Sequence, residues 1–279
     1  MSAEPEAYLL DGGRRLHLHQ GPIDLIIGVE GAPPERYFAR AARRFQTVLS
    51  GLAGELPTLR APVFSDTQVN DPIAQRMIAA VRPHAPIFAT PMAAVAGAVA
   101  DEVLAAMRLD EAVTKAYVNN GGDVAFHLTG SAHMTSLSPA GEITLTPGGT
   151  ARGLATSGWQ GRSHSLGIAD AVTVAAPTAA AADVAATLIA NAVDLPRHSV
   201  IRRTPAHELS PDSDLGARLV TTGVGALSPD DIEMALAAGA RRAQQFRDRG
   251  LICHAALLLQ GRRLLISPQP TLQGDPVHA

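Results

Sequence analysis

Residues 155–193 read ATSGWQGRSHSLGIADAVTVAAPTAAAADVAATLIANAV, and the reading of this stretch decides the fold. It passes from a small-residue turn through an apolar strand into a helix. From Thr178 to Val193 nearly every position is Ala, Val, Leu or Ile, and the exceptions inside the helix are Asp183, Thr187 and Asn191. Residues four apart share one helix face. A solvent-facing stripe carries long charged side chains, whereas this one holds a short carboxylate, a hydroxyl and an amide. The pattern therefore predicts a helix buried on most sides. A carboxylate in that setting needs a partner, because an unpaired buried charge is costly. Two readings stay open: Asp183 and Thr187 hold a hard cation such as magnesium through oxygen, or the stripe is the polar rim of the core.

Upstream, an apolar strand over 113–118 leads into Asn119-Asn120-Gly121-Gly122-Asp123 and a second strand over 124–128. Asn-Gly and Gly-Gly are hairpin-turn signals in themselves. Two amides and a carboxylate around the glycines exceed what a turn requires. Glycines let backbone amides face a ligand while the side chains read its polar edges. Another hairpin follows, 133–137 with 142–146, turning at Ser138-Pro139-Ala140-Gly141. Thr90-Pro91 reads as an N-cap followed by a first-turn proline. The helix after it is so rich in Ala and Gly that another backbone or a flat ligand can approach closely, dense helix packing being the simpler account.

Nearer the N-terminus, residues 7–31 read as a three-strand meander with turns at Asp11-Gly12-Gly13 and Gln20-Gly21-Pro22. His17 and His19 share one strand face, which offers a metal pair; with no third ligand beside them in sequence, polar residues on an open hairpin face are the simpler reading. Pro33-Pro34 opens a helix predicted to reach Leu56, and a shorter one spans 71–81. Residues 194–216 read as a long surface loop with room for one short element, 218–222 as a strand, and Ser228-Pro229-Asp230-Asp231 as the start of a helix ending near Gly250. A hairpin, 251–259 with 263–267, closes the chain. The order of elements predicts an α+β fold with mostly antiparallel sheets, one domain over 1–267 and a disordered tail over 268–279.

Of 279 residues, 46% are hydrophobic, enough for a sizeable core. Lys115 is the only lysine and the arginines are scattered, so no nucleic-acid footprint is expected. The longest apolar run, near 91–107, is interrupted by Asp101 and Glu102 and predicts no membrane span. The acidic start lacks the basic-then-apolar pattern of a signal peptide. A single cysteine, Cys253, forbids an intrachain disulfide and fits the cytoplasm. Rossmann, Walker, paired CxxC and HExxH motifs do not occur.

Taken together, Asn119-Asn120-Gly121-Gly122-Asp123, Ala155-Thr156-Ser157-Gly158, Val172-Thr173-Val174 and Ala182-Asp183-Val184-Ala185-Ala186-Thr187 resemble the ApbE family of FAD:protein FMN transferases, most closely its stand-alone short members. The motif likeness covers roughly residues 85–195, and the order of elements agrees over the whole chain. The resemblance implies a tunnelling-fold-like architecture, antiparallel sheets covered by helices. It also implies FAD contacts from Asn119, Asn120, Gly121, Gly122, Asp123, Thr156 and Ser157, with Arg162 on phosphate, and magnesium held by Asp183 and Thr187. His164 then becomes the candidate base and Asp170 a further oxygen donor or catalytic group. The family's H-I-x-D-P-x-T-G segment is not matched: His164-Ser165-Leu166-Gly167-Ile168-Ala169-Asp170 stands there instead. Partners implied are a nucleotide ligand and an acceptor protein. Action on a pterin or purine, often at a subunit interface of a homo-oligomer, stays open, as does a non-catalytic flavin-binding role.

Overall fold

In the computed structural model, residues 4–138 and 141–267 are described. The tail expected at 268–279 and the tip of the turn at Pro139-Ala140 lie outside them. Three strands open the fold: β1 (Glu6–Leu10), β2 (Arg15–Gln20) and β3 (Ile23–Glu30). Helices α1 (Glu35–Phe45), α2 (Val48–Leu59), α3 (Pro72–Val81) and α4 (Val95–Ala106) follow. The middle of the chain supplies β4 (Lys115–Asn120), β5 (Asp123–Leu128), β6 (Met134–Ser138), β7 (Gly141–Leu145), β8 (Gly153–Ser157), β9 (Ala171–Ala176) and α5 (Ala179–Ala192). The rest is β10 (Ile201–Pro205), α6 (Ala206–Leu209), β11 (Leu219–Val224), α7 (Pro229–Asp248), β12 (His254–Leu259) and β13 (Arg262–Ile266).

Nine strands form one sheet in the order β1-β2-β3-β4-β5-β8-β9-β12-β13, and each of its neighbouring pairs is antiparallel. The period-2 alternation of strand side chains assigns the two faces. Leu16, Leu18, Leu25, Ile27, Val118 and Val174 belong to the main core beneath the helices. Phe126, Leu128, Leu154 and Ala175 point the other way, into a smaller core with Ile143 and Leu145 of the β6–β7 hairpin. The α+β class with antiparallel pairing is what the order of elements predicts.

α5 lies at the centre. Its face of Ala182, Val184, Ala185, Ala186, Leu188 and Ile189 is buried, and Thr178 caps it by accepting from Ala181 N at 3.1 Å. Two glycines let the helix start sit against β8 and α4. A Cβ on Gly153 would stand 2.1 Å from Ala179 N, and one on Gly97 would stand 2.2 Å from Ala179 O. α4 and α5 also cap each other. Asp101 of α4 accepts from Ala179 N and Ala180 N at 3.0 and 2.9 Å, and Asp183 of α5 accepts from Gly97 N at 3.1 Å. Each carboxylate satisfies first-turn amides that have no intrahelical partner.

Several expectations are corrected. The helix predicted from Pro34 to Leu56 is two helices, α1 and α2, interrupted at Gln46–Thr47, where Thr47 turns back through its amide and hydroxyl onto Arg44 O. Thr90 stands at the N-cap position of a short 3-10 helix, Pro91–Ala94, ahead of α4 and not at the start of α4 itself, and its hydroxyl bonds the Asp214 carboxylate instead of a helix amide. The stretch 194–216, expected to be a loop with room for one short element, carries two, β10 and α6, with β10 paired to β11. Ala155-Thr156-Ser157 is the end of β8, inside the sheet, rather than a turn.

Candidate functional site

A cleft of about 420 Å³ opens where the start of α4, the β4–β5 turn, the end of β8 and the polar stripe of α5 meet. Gly121, Asp123, Thr156, Ser157, Arg162, His164, Asp183 and Thr187, eight of the candidates read from sequence, line it together. Its volume is within the range usual for small-molecule sites. A larger hollow of about 570 Å³ lies near Thr146, Thr150, Arg247, Cys253 and His254. We place the candidate site in the smaller cleft because carboxylates, hydroxyls, backbone amides and an arginine converge there.

Asp183 is deeply set. Burial pushes its carboxyl well above the usual carboxylate range, the neighbouring Asp123 adds to the rise, and the amides at the start of α4 oppose it. Burial also pushes Asp123 up, to about 7, against the Thr156 amide and the Arg162 guanidinium, which favour its charged form. Thr156 N lies 3.4 Å from Asp123 Oδ1. Two carboxylates that repel each other in a shielded setting either retain a proton or take up a cation. Thr187, one turn beyond Asp183, lines the same wall.

Arg162 is exposed and packs over the β4–β5 turn, where a Cβ on Gly121 would stand 2.0 Å from its Nη2. That leaves a guanidinium at the mouth of the cleft, the geometry that suits phosphate. Asn120 is buried and donates to Ala96 O at 3.1 Å, fixing the turn to the start of α4. Asn119 accepts from Gly122 N at 2.8 Å, so it shapes the turn. Gly122 has φ +115 and nothing within 4 Å of its would-be Cβ; the turn needs it, and a side chain there would not block the cleft. The Thr156 hydroxyl bonds Thr173 Oγ1 at 2.8 Å, so this residue turns its backbone amide toward Asp123.

Asp170 stands apart from the cleft lining. Its carboxylate accepts from Trp159 Nε1 at 3.2 Å and from Gln260 N at 2.6 Å, tying the connection after β8 to the β12–β13 turn. Both of its oxygens are thus engaged within the fold. Asn191, the third polar residue of α5, accepts from Ser165 Oγ and Leu166 N at 3.2 and 2.9 Å. A Cβ on Gly167 would stand 2.0 Å from Ala190 O. The short 164–170 connection is thereby pinned to the end of α5, leaving His164 exposed at the rim. Reading the sequence missed Ser210, Ser213, Asp214 and Leu215, which close the cleft from the β10–β11 side. Their Ser-Pro-Asp-Ser-Asp setting is a loop signal, and tertiary contacts such as Thr90–Asp214 and Arg218 over the Phe88 ring show where the loop folds.

The fold and cleft define an α+β protein built on one antiparallel sheet, with an acidic, small-residue cleft on its helical face. A family model described as AbpE bacteria matches residues 7–265, and the chain belongs to that family. It is similar to three UPF0280 proteins. Identity is 38% over 117 residues with that of Methanococcoides burtonii, 40% over 114 with that of Methanothermobacter thermautotrophicus and 41% over 111 with that of Methanopyrus kandleri. The matched stretches cover 39%, 38% and 38% of this chain and 48%, 43% and 44% of those relatives. The chain thus spans less than half the length of the curated relatives it matches. Among the described residues no helix is long and apolar enough to cross a membrane.

Proposed function

We propose that the cleft binds FAD, or a related phosphorylated heterocycle, together with magnesium, as the resemblance to the FMN transferases and to the tunnelling fold implies. The observation that carries this reading is the meeting of Asp123 and Asp183 in one cleft, each carboxyl raised by burial. An Asp pair resisting ionisation, with the Thr187 side chain on the same wall, forms an oxygen donor set for a hard cation. The Arg162 guanidinium at the mouth and the small residues of the β4–β5 turn suit a pyrophosphate. Met92 and Leu215 add apolar walls for a ring system. The single cysteine fits a cytoplasmic protein.

In FMN transfer, an acceptor hydroxyl oxygen attacks the phosphorus on the FMN side of the pyrophosphate. Its proton passes to a base, the bond to the AMP oxygen breaks, and AMP leaves. Bound magnesium supplies charge neutralisation at the pyrophosphate. Of this chain's residues, His164 at the cleft rim would take the proton and Arg162 would hold phosphate. The D-P-x-T-G segment has no counterpart, and Asp170 is engaged in holding Trp159 and Gln260. Loss of one positioned charge-stabilising group costs about 10²–10³ in rate. The proposal is therefore binding with transfer very slow or absent. Titrating the protein with FAD with and without magnesium, by quenching of flavin fluorescence, tests it: binding that magnesium does not affect would contradict the reading.

A further inference from the structure

On the opposite face of the sheet, away from the cleft, the N-terminal meander brings His17, His19 and Asp24 together. His17 and His19 are two apart on β2, so both rings leave the same face. Asp24 of β3 stands directly opposite His19 in the antiparallel register and diagonal to His17. One ligand atom from each of the three lies within 4.8 Å of the others. His17 Nε2 is 3.3 Å from Asp24 Oδ1, and His19 Nδ1 is 3.6 Å from Asp24 Oδ2. Ligand atoms held tetrahedrally at zinc bond lengths are separated by about 3.3 Å, so each imidazole already lies near that spacing from the carboxylate, and small side-chain rotations would bring all three onto one ion.

A second observation points the same way. His17 Nε2 and His19 Nδ1 are shielded from solvent and make no hydrogen bond. They sit beside a carboxylate at distances an ion pair would use, yet without hydrogen-bond geometry. Two ring nitrogens left without a proton partner and gathered around one carboxylate match what a metal ion requires of its ligands. The side chains are partly exposed, His17 26%, His19 42% and Asp24 47%, so an ion has access from solvent. Glu6 of β1 stands opposite His19 in the register, on the same face, where its carboxylate accepts from the Tyr8 hydroxyl at 2.8 Å. Tyr8 stacks near His17, ring centroids 6.1 Å apart, and walls the group toward the sheet edge.

We propose that His17, His19 and Asp24 form a binding site for one divalent transition-metal ion of the zinc type. Two imidazoles and one carboxylate suit zinc and its neighbours better than the all-oxygen shell magnesium prefers. Three protein ligands leave a position for water or for Glu6. The ion clips β2 to β3, and it is independent of the acidic cleft because the three ligands stand on the other sheet face.

The test uses the untagged full-length chain, stripped with chelator and titrated with Zn²⁺ alone, and in parallel with Co²⁺, whose visible absorption reports nitrogen and oxygen ligation. The expected result is one ion per chain with a tetrahedral-type cobalt spectrum. His17→Gln, His19→Gln and Asp24→Asn should each weaken binding by about tenfold or more, since even second-sphere changes cost about 10–100-fold. Asp183→Asn should leave it unchanged, which separates this site from the cleft. Circular dichroism of each variant checks folding; the Gln and Asn replacements are nearly isosteric and lie on the open sheet face. Absence of stoichiometric Zn²⁺ binding would overturn the proposal, as would binding unaffected by all three variants or abolished by Asp183→Asn.

Discussion

Gly97→Ala probes the contact on which the cleft is built. Gly97 is buried at the α4–α5 crossing, and an added Cβ would meet Ala179 O at 2.2 Å, Ala179 C at 2.4 Å and Ala180 N at 2.7 Å. All three atoms are backbone, so no side chain can rotate aside. Reaching an ordinary contact of 3.4 Å requires the helices to part by about 1.2 Å. Forcing extra bulk into a packed crossing costs about 1–3 kcal/mol. The same displacement stretches the Asp183–Gly97 bond and both Asp101 bonds to α5. Bonds to charged groups contribute about 1.5–3 kcal/mol each, while alanine returns about 1 kcal/mol of helix propensity. The net expectation is destabilisation of about 2–4 kcal/mol, a fall in Tm of about 5–10 °C for a chain of this size. Magnesium-dependent ligand binding should weaken with it, because Asp183 is no longer held by α4. Thermal unfolding by circular dichroism, with a flavin titration on the folded variant, measures both effects. A Tm within about 2 °C of wild type and unchanged ligand binding would refute the view that this crossing positions the carboxylate.

Asp101→Ala should cost about 1–2 kcal/mol by uncapping α5, and urea unfolding should show the loss as a lower midpoint with an unchanged slope. Magnesium binding should strengthen as pH rises toward and through about 7, because the proton on Asp123, whose carboxyl is pushed up to about 7 by burial, competes with the cation; calorimetric titration at pH 5.5 and 8 checks this, and weaker binding at pH 8 would contradict it. The raised Asp123 and Asp183 carboxyls also make the fold bind more protons than the unfolded chain from about 4 upward toward 7. Their contribution to stability therefore falls across that window as pH rises, and added magnesium should raise Tm more at pH 8 than at pH 5. Incubation with FAD, magnesium and a generic FMN-acceptor peptide should give no efficient mass increase equal to FMN on either partner. Efficient transfer abolished by His164→Ala would show that the short 164–170 connection replaces the missing segment.

Local signals in the sequence specify much of this fold. Strand alternation at Leu16-His17-Leu18-His19 assigns both faces of β2, and Thr178 and Ser228 mark the helices they cap. The Asp183-Thr187-Asn191 stripe is legible because burial around it is nearly complete. Its division of labour is not, since spacing alone does not say that Asp183 takes the amides of α4, Thr187 lines a cleft and Asn191 pins residues 165–166. The partners of Asp170 are illegible for the same reason: it follows the histidine at a chemically suggestive distance, and the fold gives it Trp159 and Gln260. Asp24 is overlooked beside His17 and His19 because strand pairing, not sequence proximity, makes it a neighbour. Ser213 and Asp214 reach the cleft through a contact 124 residues away in the chain, which no local pattern encodes.

The most direct test of the acidic cleft is a flavin titration of wild type and Asp183→Asn at pH 8, each with and without magnesium. Asparagine keeps the shape and can still accept from Gly97 N, so the fold should persist while the charge for the cation is lost. The account predicts that magnesium tightens FAD binding to wild type and has little or no effect on the variant. Equal magnesium dependence in both proteins would contradict it and return Asp183 to the role of a helix cap.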